Sequence, residues 1–354
     1  MLCDKVKHQD GAQRQLERAL AQARVPHSYL FHGPEGVGKE TLALAFAAAL
    51  LEHNGPGSIE NHPDVHLIYR ELLRFHSDSE IRKQTARELS VHVVRQFIVE
   101  RADLTSMHGK GKVFLIREAH LMNIQAQNAL LKSLEEPSDK TFFVLLASRL
   151  DRLLATTLSR CQVVSFDSLP TDFVRTKLAE LRPTLGKEEL DWCSISADGR
   201  IGVAVRLAED ELFAPAMRVV EALIGLDRRS SGAVAKLWLE EAKGVGSRFR
   251  NRAKEITDVE ALRRGLKEMF RFAADWYADW LRCGETDLPL IYSRFEARTR
   301  GFFNAVGVRP CASAIARLAR AERHLDNNAN PQLAVEDLIN DLARVATGRP
   351  VALV

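Results

Sequence analysis

Ser28 to Thr41 reads SYLFHGPEGVGKET, and its reading decides the fold. A short strand-like run leads directly into Gly33-Pro34-Glu35-Gly36-Val37-Gly38-Lys39, the GxxxxGK spacing of a phosphate-binding loop set between a strand and a helix. Glycines at these places let backbone N–H groups turn inward around phosphate oxygens. A helix beginning near Lys39 adds the partial positive charge of its N-terminus. Lys39 is then placed to reach the terminal phosphates. This stretch predicts a P-loop nucleotidase fold.

The next position breaks the pattern. A P-loop places Ser or Thr after the lysine, so that a small hydroxyl can hold Mg²⁺. Here that place is Glu40, and Thr41 follows one residue late, about 100° round the helix. The second metal position departs as well. The apolar strand Val113–Ile116 is followed by Arg117-Glu118, where Asp-Glu is expected. Glu118 keeps the slot of a water-activating glutamate, but the aspartate that would hold the metal is Arg117. Two readings stay open: drift in an unused site with Arg117 turned to solvent, or a Glu40–Arg117 ion pair in the metal's place. Either one predicts badly impaired Mg-ATP hydrolysis, with no metal held at the loop.

Outward from the loop, the first half of the chain alternates apolar runs with helical stretches. Candidate strands are SYLFH (28–32), VHLIY (65–69), KVFLI (112–116), TFFVLLAS (141–148) and QVVSF (162–166). Each is apolar on both faces, as expected where strands of a parallel sheet lie between helices. After Pro170 the strand signals stop and helical patterns continue. The expected organisation is an α/β P-loop module over 1–168, a small helical lid over 169–210 and an all-α domain over 211–354.

Composition sets the outer limits. With 46% hydrophobic and 27% charged residues, the 354-residue chain can bury sizeable cores and is neither fibrous nor disordered. A net charge of +3 makes it no polycation, so any contact with nucleic acid is local or shared with other subunits. The charged start MLCDKVKHQD has no apolar signal core, and the longest apolar run, LALAFAAALL, is too short for a bilayer. Five cysteines stand singly, a pattern of reduced thiols rather than disulfides. A cytoplasmic protein is expected.

The order HSYLFHGPEGVGK, NHPDVHLI, KGKVFLIREAHLMNIQAQNALLKSLEEPS and TLSRCQVVSF resembles the AAA+ subunits of bacterial clamp loaders, and within that family the delta-prime type. The likeness is dense over about residues 5–170, thin through 171–210, and returns near 315–345 in HLDNNANPQLAVEDLINDL. NALLKSLEEP together with SRC carries most of its specificity. The resemblance implies an AAA+ module, a lid and a collar domain, within a DNA polymerase III clamp loader. It implies that Glu118 is a degenerate Walker B carboxylate, Ser148 the sensor-1 residue, and Arg160 an arginine finger reaching a neighbour's ATP. The place of a sensor-2 arginine falls on Val203; Arg200 or Arg206 could serve only in another register.

The same resemblance implies as partners the motor subunits and a delta-like subunit, with the sliding clamp and primed DNA reached through the complex and no membrane. No cofactor is certain: ATP is expected to bind weakly, if at all, without hydrolysis. Many relatives carry a cysteine zinc module before the NHPD segment. This chain has none there, and His53, His62 and His66 lack a carboxylate at ligand spacing, so no zinc is expected. Trp276 and Trp280, four apart on one helical face, are read as core or interface anchors. The basic stretch Lys243–Glu255 is read as a solvated helix face.

Overall fold

Val113 and Leu115 pack into one hydrophobic cluster, and Phe114 and Ile116 into another. The same alternation divides Tyr29 and Phe31 from Leu30, and Val144 and Leu146 from Phe143 and Leu145. A strand points successive side chains to opposite faces, so two clusters mean a sheet buried on both sides. The computed structural model describes residues 2–346 except 23–24, 54–56, 85, 87, 228, 253–255 and 284–288. Its strands are β1 (Ser28–His32), β2 (Val65–Ile68), β3 (Lys112–Ile116), β4 (Thr141–Ala147) and β5 (Gln162–Ser165). All pair in parallel, in the order β2-β3-β4-β1-β5.

These strands fall within one residue of the expected ones, but β5 departs in character. It is exposed at Gln162, Val163 and Ser165, because it is an edge strand beyond β1 and only Val164 reaches the core. The central strands β1 and β4 carry the functional loops at their C-terminal ends, which is where ligands sit in open parallel sheets.

By its internal contacts the chain divides into two units. The first comprises residues 1–170 with Gly199–Gly202; the second comprises 171–198 and 203–354. The first break lies two residues from the expected one, and the expected boundary after 210 falls inside the second unit. That unit is helical, running from Thr171–Leu181 through long helices at Ser231–Arg252 and Asp258–Arg282 to Pro331–Ala346. Trp276 and Trp280 are buried in it; Trp276 packs on Phe302 and donates its indole N–H to Thr299 (3.1 Å). They are core residues. Lys243–Arg252 ends the helix Ser231–Arg252, and the rest of that basic stretch lies outside the described residues.

Candidate functional site

The loop after β1 is held by glycines in conformations that side chains resist. Gly33, Gly36 and Gly38 have φ of 151°, 81° and 101°. Gly38 caps the helix Lys39–Leu50, so the helix begins at the loop, and its first N–H groups have no partner within the helix. The segment Gly199–Gly202 closes against this loop: the N–H of Gly202 donates to the carbonyl of Gly36 at 2.9 Å. A β-carbon at Gly202 would come within 2.9 Å of the Gly36 Cα, so only glycine permits that approach.

Lys39 is buried, and its Nζ donates to the carbonyls of Gly33 and Pro34, both at 2.5 Å. The loop is thus closed on its own lysine. Burial pushes the ammonium down to about 8, with Glu35 opposing. In the unfolded chain it titrates near 10.5, so between these values the unfolded state holds more protons and stability rises with pH. The cost of the buried ammonium is complete below pH 8 and vanishes above 10.5. In Lys39→Met that dependence disappears. The stability difference, parent minus variant, should grow by about 3 kcal/mol from pH 7 to pH 11 in denaturant titrations. A difference that stays flat would mean that the ammonium is as well solvated as in the unfolded chain.

Arg117 and Glu40 meet. The guanidinium Nη2 is ion-paired with Glu40 Oε1, the guanidinium Cζ lies 5.8 Å from the centroid of the Tyr69 ring, and the backbone N–H of Arg117 donates to the carbonyl of Ile68 (2.8 Å). Of the two readings, the ion pair describes the structure. Both side chains keep about a third of their surface exposed (33% and 39%), so the pair contributes about 1 kcal/mol at most. Its consequence is positional: a cation stands where a divalent metal would be held. A guanidinium and a carboxylate locked together offer Mg²⁺ neither the hydroxyl nor the aspartate it requires, and the residues present do not fit that ion. Thr41, one step on, is exposed.

Glu118 sits at φ 48° at the end of β3, with Arg70 Nε 3.6 Å from its Oε2. Burial raises its carboxyl and Arg70 works against that; the net shift is upward. Ser148 Oγ lies 3.1 Å from Nε2 of His120, a residue that the sequence reading did not single out. Burial, then the nearby Lys39, lowers the His120 imidazole. His120 therefore links the end of β4 to the field of the loop lysine. Its only sequence signal was its place two residues after Glu118.

Arg160 is held by a different set. Its Nη1 donates to the carbonyl of Thr156 (2.8 Å) and to Ser159 Oγ (3.3 Å), and its Nη2 is ion-paired with Glu135 at the end of the helix Ile124–Glu135. The guanidinium is fixed from within the chain yet keeps 31% of its surface accessible. Val203, at the expected sensor-2 place, is buried.

A parallel five-stranded sheet with a P-loop after the inner strand β1 and a helical second unit defines a P-loop AAA+ protein. A solved gamma-subunit-related protein of DNA polymerase III from Thermotoga maritima shares the fold, with a TM-score of 0.50 and 18% identity over 94% of this chain and 99% of that one. The family model described as "DNA polymerase III, delta subunit" matches residues 8–170. The delta-prime subunit of Bacillus subtilis is 32% identical over 177 residues, 47% of this chain and 49% of that protein. That of Pseudomonas aeruginosa is 36% identical over 153 residues, 40% of this chain and 43% of that protein. These matches support a clamp-loader AAA+ family of bacterial DNA polymerase III, delta-prime-like, for the first half of the chain. Its matches span less than half the length of these two delta-prime relatives. Among the described residues, no helix is long and apolar enough to cross a membrane.

Proposed function

We propose that this protein is a non-hydrolysing stator of a DNA polymerase III clamp loader. It acts in the cytoplasm with motor subunits and a delta-like subunit to place the sliding clamp on primed DNA. Its own loop turns over no ATP, and Arg160 serves the ATP of a neighbouring subunit. The observation that carries this reading is the Arg117–Glu40 ion pair at both protein positions for the metal. Without Mg²⁺ the charge developing on a transferring phosphoryl group loses its divalent counter-ion, and such electrostatic stabilisation is the larger part of this catalysis.

Nucleotide can enter the loop only by displacing the Gly33 and Pro34 carbonyls from Lys39. Weak, metal-independent binding of ATP is the expected limit. Glu118 and Ser148 then persist as supports of the fold around His120, not as catalytic groups. The purified chain should show no Mg-dependent ATP hydrolysis above background. Steady Mg-dependent turnover that is lost in Lys39→Ala would overturn the reading and make the chain a motor.

A further inference from the structure

Beside the start of β2, three side chains that the nucleotide loop does not use come together. His62 and Asp64 precede Val65, and His108 lies on the loop before β3; each offers one donor atom, and these lie within 4.8 Å of one another. Asp64 is buried at 2% exposure. Its Oδ1 accepts the N–H of Met107 (2.6 Å), and its Oδ2 accepts the N–H of His108 (3.0 Å) and lies 3.2 Å from His108 Nδ1. Those backbone bonds explain why an aspartate is there: it ties the loop at 107–108 to the strand. They do not explain why two imidazoles surround it, with ring centroids 5.0 Å apart.

A carboxylate has about four acceptor directions: beyond the Met107 amide Oδ1 has one to spare, while Oδ2 takes the His108 amide and faces the His108 imidazole. Backbone N–H groups on a carboxylate are the usual outer support of a metal ligand, fixing its orientation before an ion arrives. The Nδ1 of His62 accepts only a long bond from the Asp64 N–H, at 3.2 Å. The ring of His53 stands 5.3 Å from that of His62, and its Nε2 is buried without a hydrogen-bond partner among the described residues.

We propose that His62, Asp64 and His108 form a site for one divalent transition-metal ion of the zinc or cobalt class. Two imidazoles with one carboxylate are borderline donors, which suit Zn²⁺ and Co²⁺ better than Mg²⁺ or Ca²⁺. Metal–ligand bonds of about 2.1 Å place tetrahedral donors about 3.4 Å apart, so the site closes by small inward turns of His62 and the exposed His108. Asp64 stays where the backbone holds it. Absent thiolates led the sequence to be read as zinc-free; that reading counted His66, which instead stacks on Phe114 (4.7 Å), and it had no means of bringing in His108.

The test uses the full chain, stripped with a chelator and dialysed. Titration with Co²⁺ should give visible d–d absorption that saturates at one ion per chain and is displaced by Zn²⁺. His62→Gln and His108→Gln should each weaken binding roughly 10–100-fold, whereas His76→Gln, outside the cluster, should not. In the parent, Zn²⁺ should shield His62 and His108, but not His76, from carbethoxylation, a readout that does not depend on how the variants fold. Absence of saturable binding, unchanged binding in both variants, or no selective shielding would each overturn the proposal.

Discussion

Arg160→Ala is expected to leave the chain folded and able to join its complex, while cutting the DNA-stimulated ATP hydrolysis and clamp loading of that complex. The first half follows from the residue's own contacts. Its ion pair with Glu135 is partly exposed at both ends (31% and 44%), so losing it costs the fold about 1 kcal/mol or less. The second half follows from the chemistry of phosphoryl transfer. An arginine supplied from a neighbour offsets charge on the transferring group and is worth roughly 10³–10⁵ in rate at the site it serves. A ring with several active sites would lose only one of them, so total turnover should fall in part and loading should fall further.

Geometry adds two refinements. Arg160→Lys should recover little, since an ammonium cannot present a planar fork and cannot hold Thr156, Ser159 and Glu135 together. Glu135→Gln should act in the same direction but more weakly, because Thr156 and Ser159 still orient the guanidinium. Steady-state ATPase and clamp-loading assays on the reconstituted complex check all three. Normal loading by an assembled Arg160→Ala complex would leave this chain an architectural role only.

The sequence made some of these features legible and hid others for physical reasons. Parallel strands were readable because burial on both faces forces unbroken apolar runs, and β5 misled only because an edge strand keeps one neighbour. The Glu40–Arg117 pair, 77 residues apart, could be anticipated because the two motifs that carry these positions converge on one metal with a fixed geometry. Asp64 and His108, 44 residues apart, share no motif, so only the folded loop shows that they meet. His120 lies two residues after Glu118, but a single histidine there has no spacing to mark it. The division of the helical half was hardest, since helical periodicity marks each element and says little about which elements pack together.

Gly33→Ala should be among the most damaging single changes in the first unit, although the loop is proposed to hydrolyse nothing. Gly33 has φ 151°, and an added β-carbon would lie 2.2 Å from the carbonyl oxygen of Phe166 and 2.8 Å from its Cβ. Neither backbone can yield easily. The N–H of Gly33 donates to Ala147 (3.2 Å), that of Phe166 donates to His32 (2.7 Å), and the Phe166 ring packs on Phe31 at 5.3 Å. Strain and overpacking together should cost about 3–5 kcal/mol. Gly244→Ala, inside the helix Ser231–Arg252 with open space around its Cα, should instead gain about 0.5–1 kcal/mol. All four tryptophans lie in the second unit, so their fluorescence is the wrong probe for the first. Native-state hydrogen exchange at the Leu30 and Phe31 amides is the right one, and it should accelerate in Gly33→Ala without any nucleotide present. That result would explain why a phosphate loop outlives its catalysis: the first glycine is required by the close approach of β1 and β5, whatever the loop binds. Unchanged exchange in Gly33→Ala would mean that the loop is kept for a ligand after all.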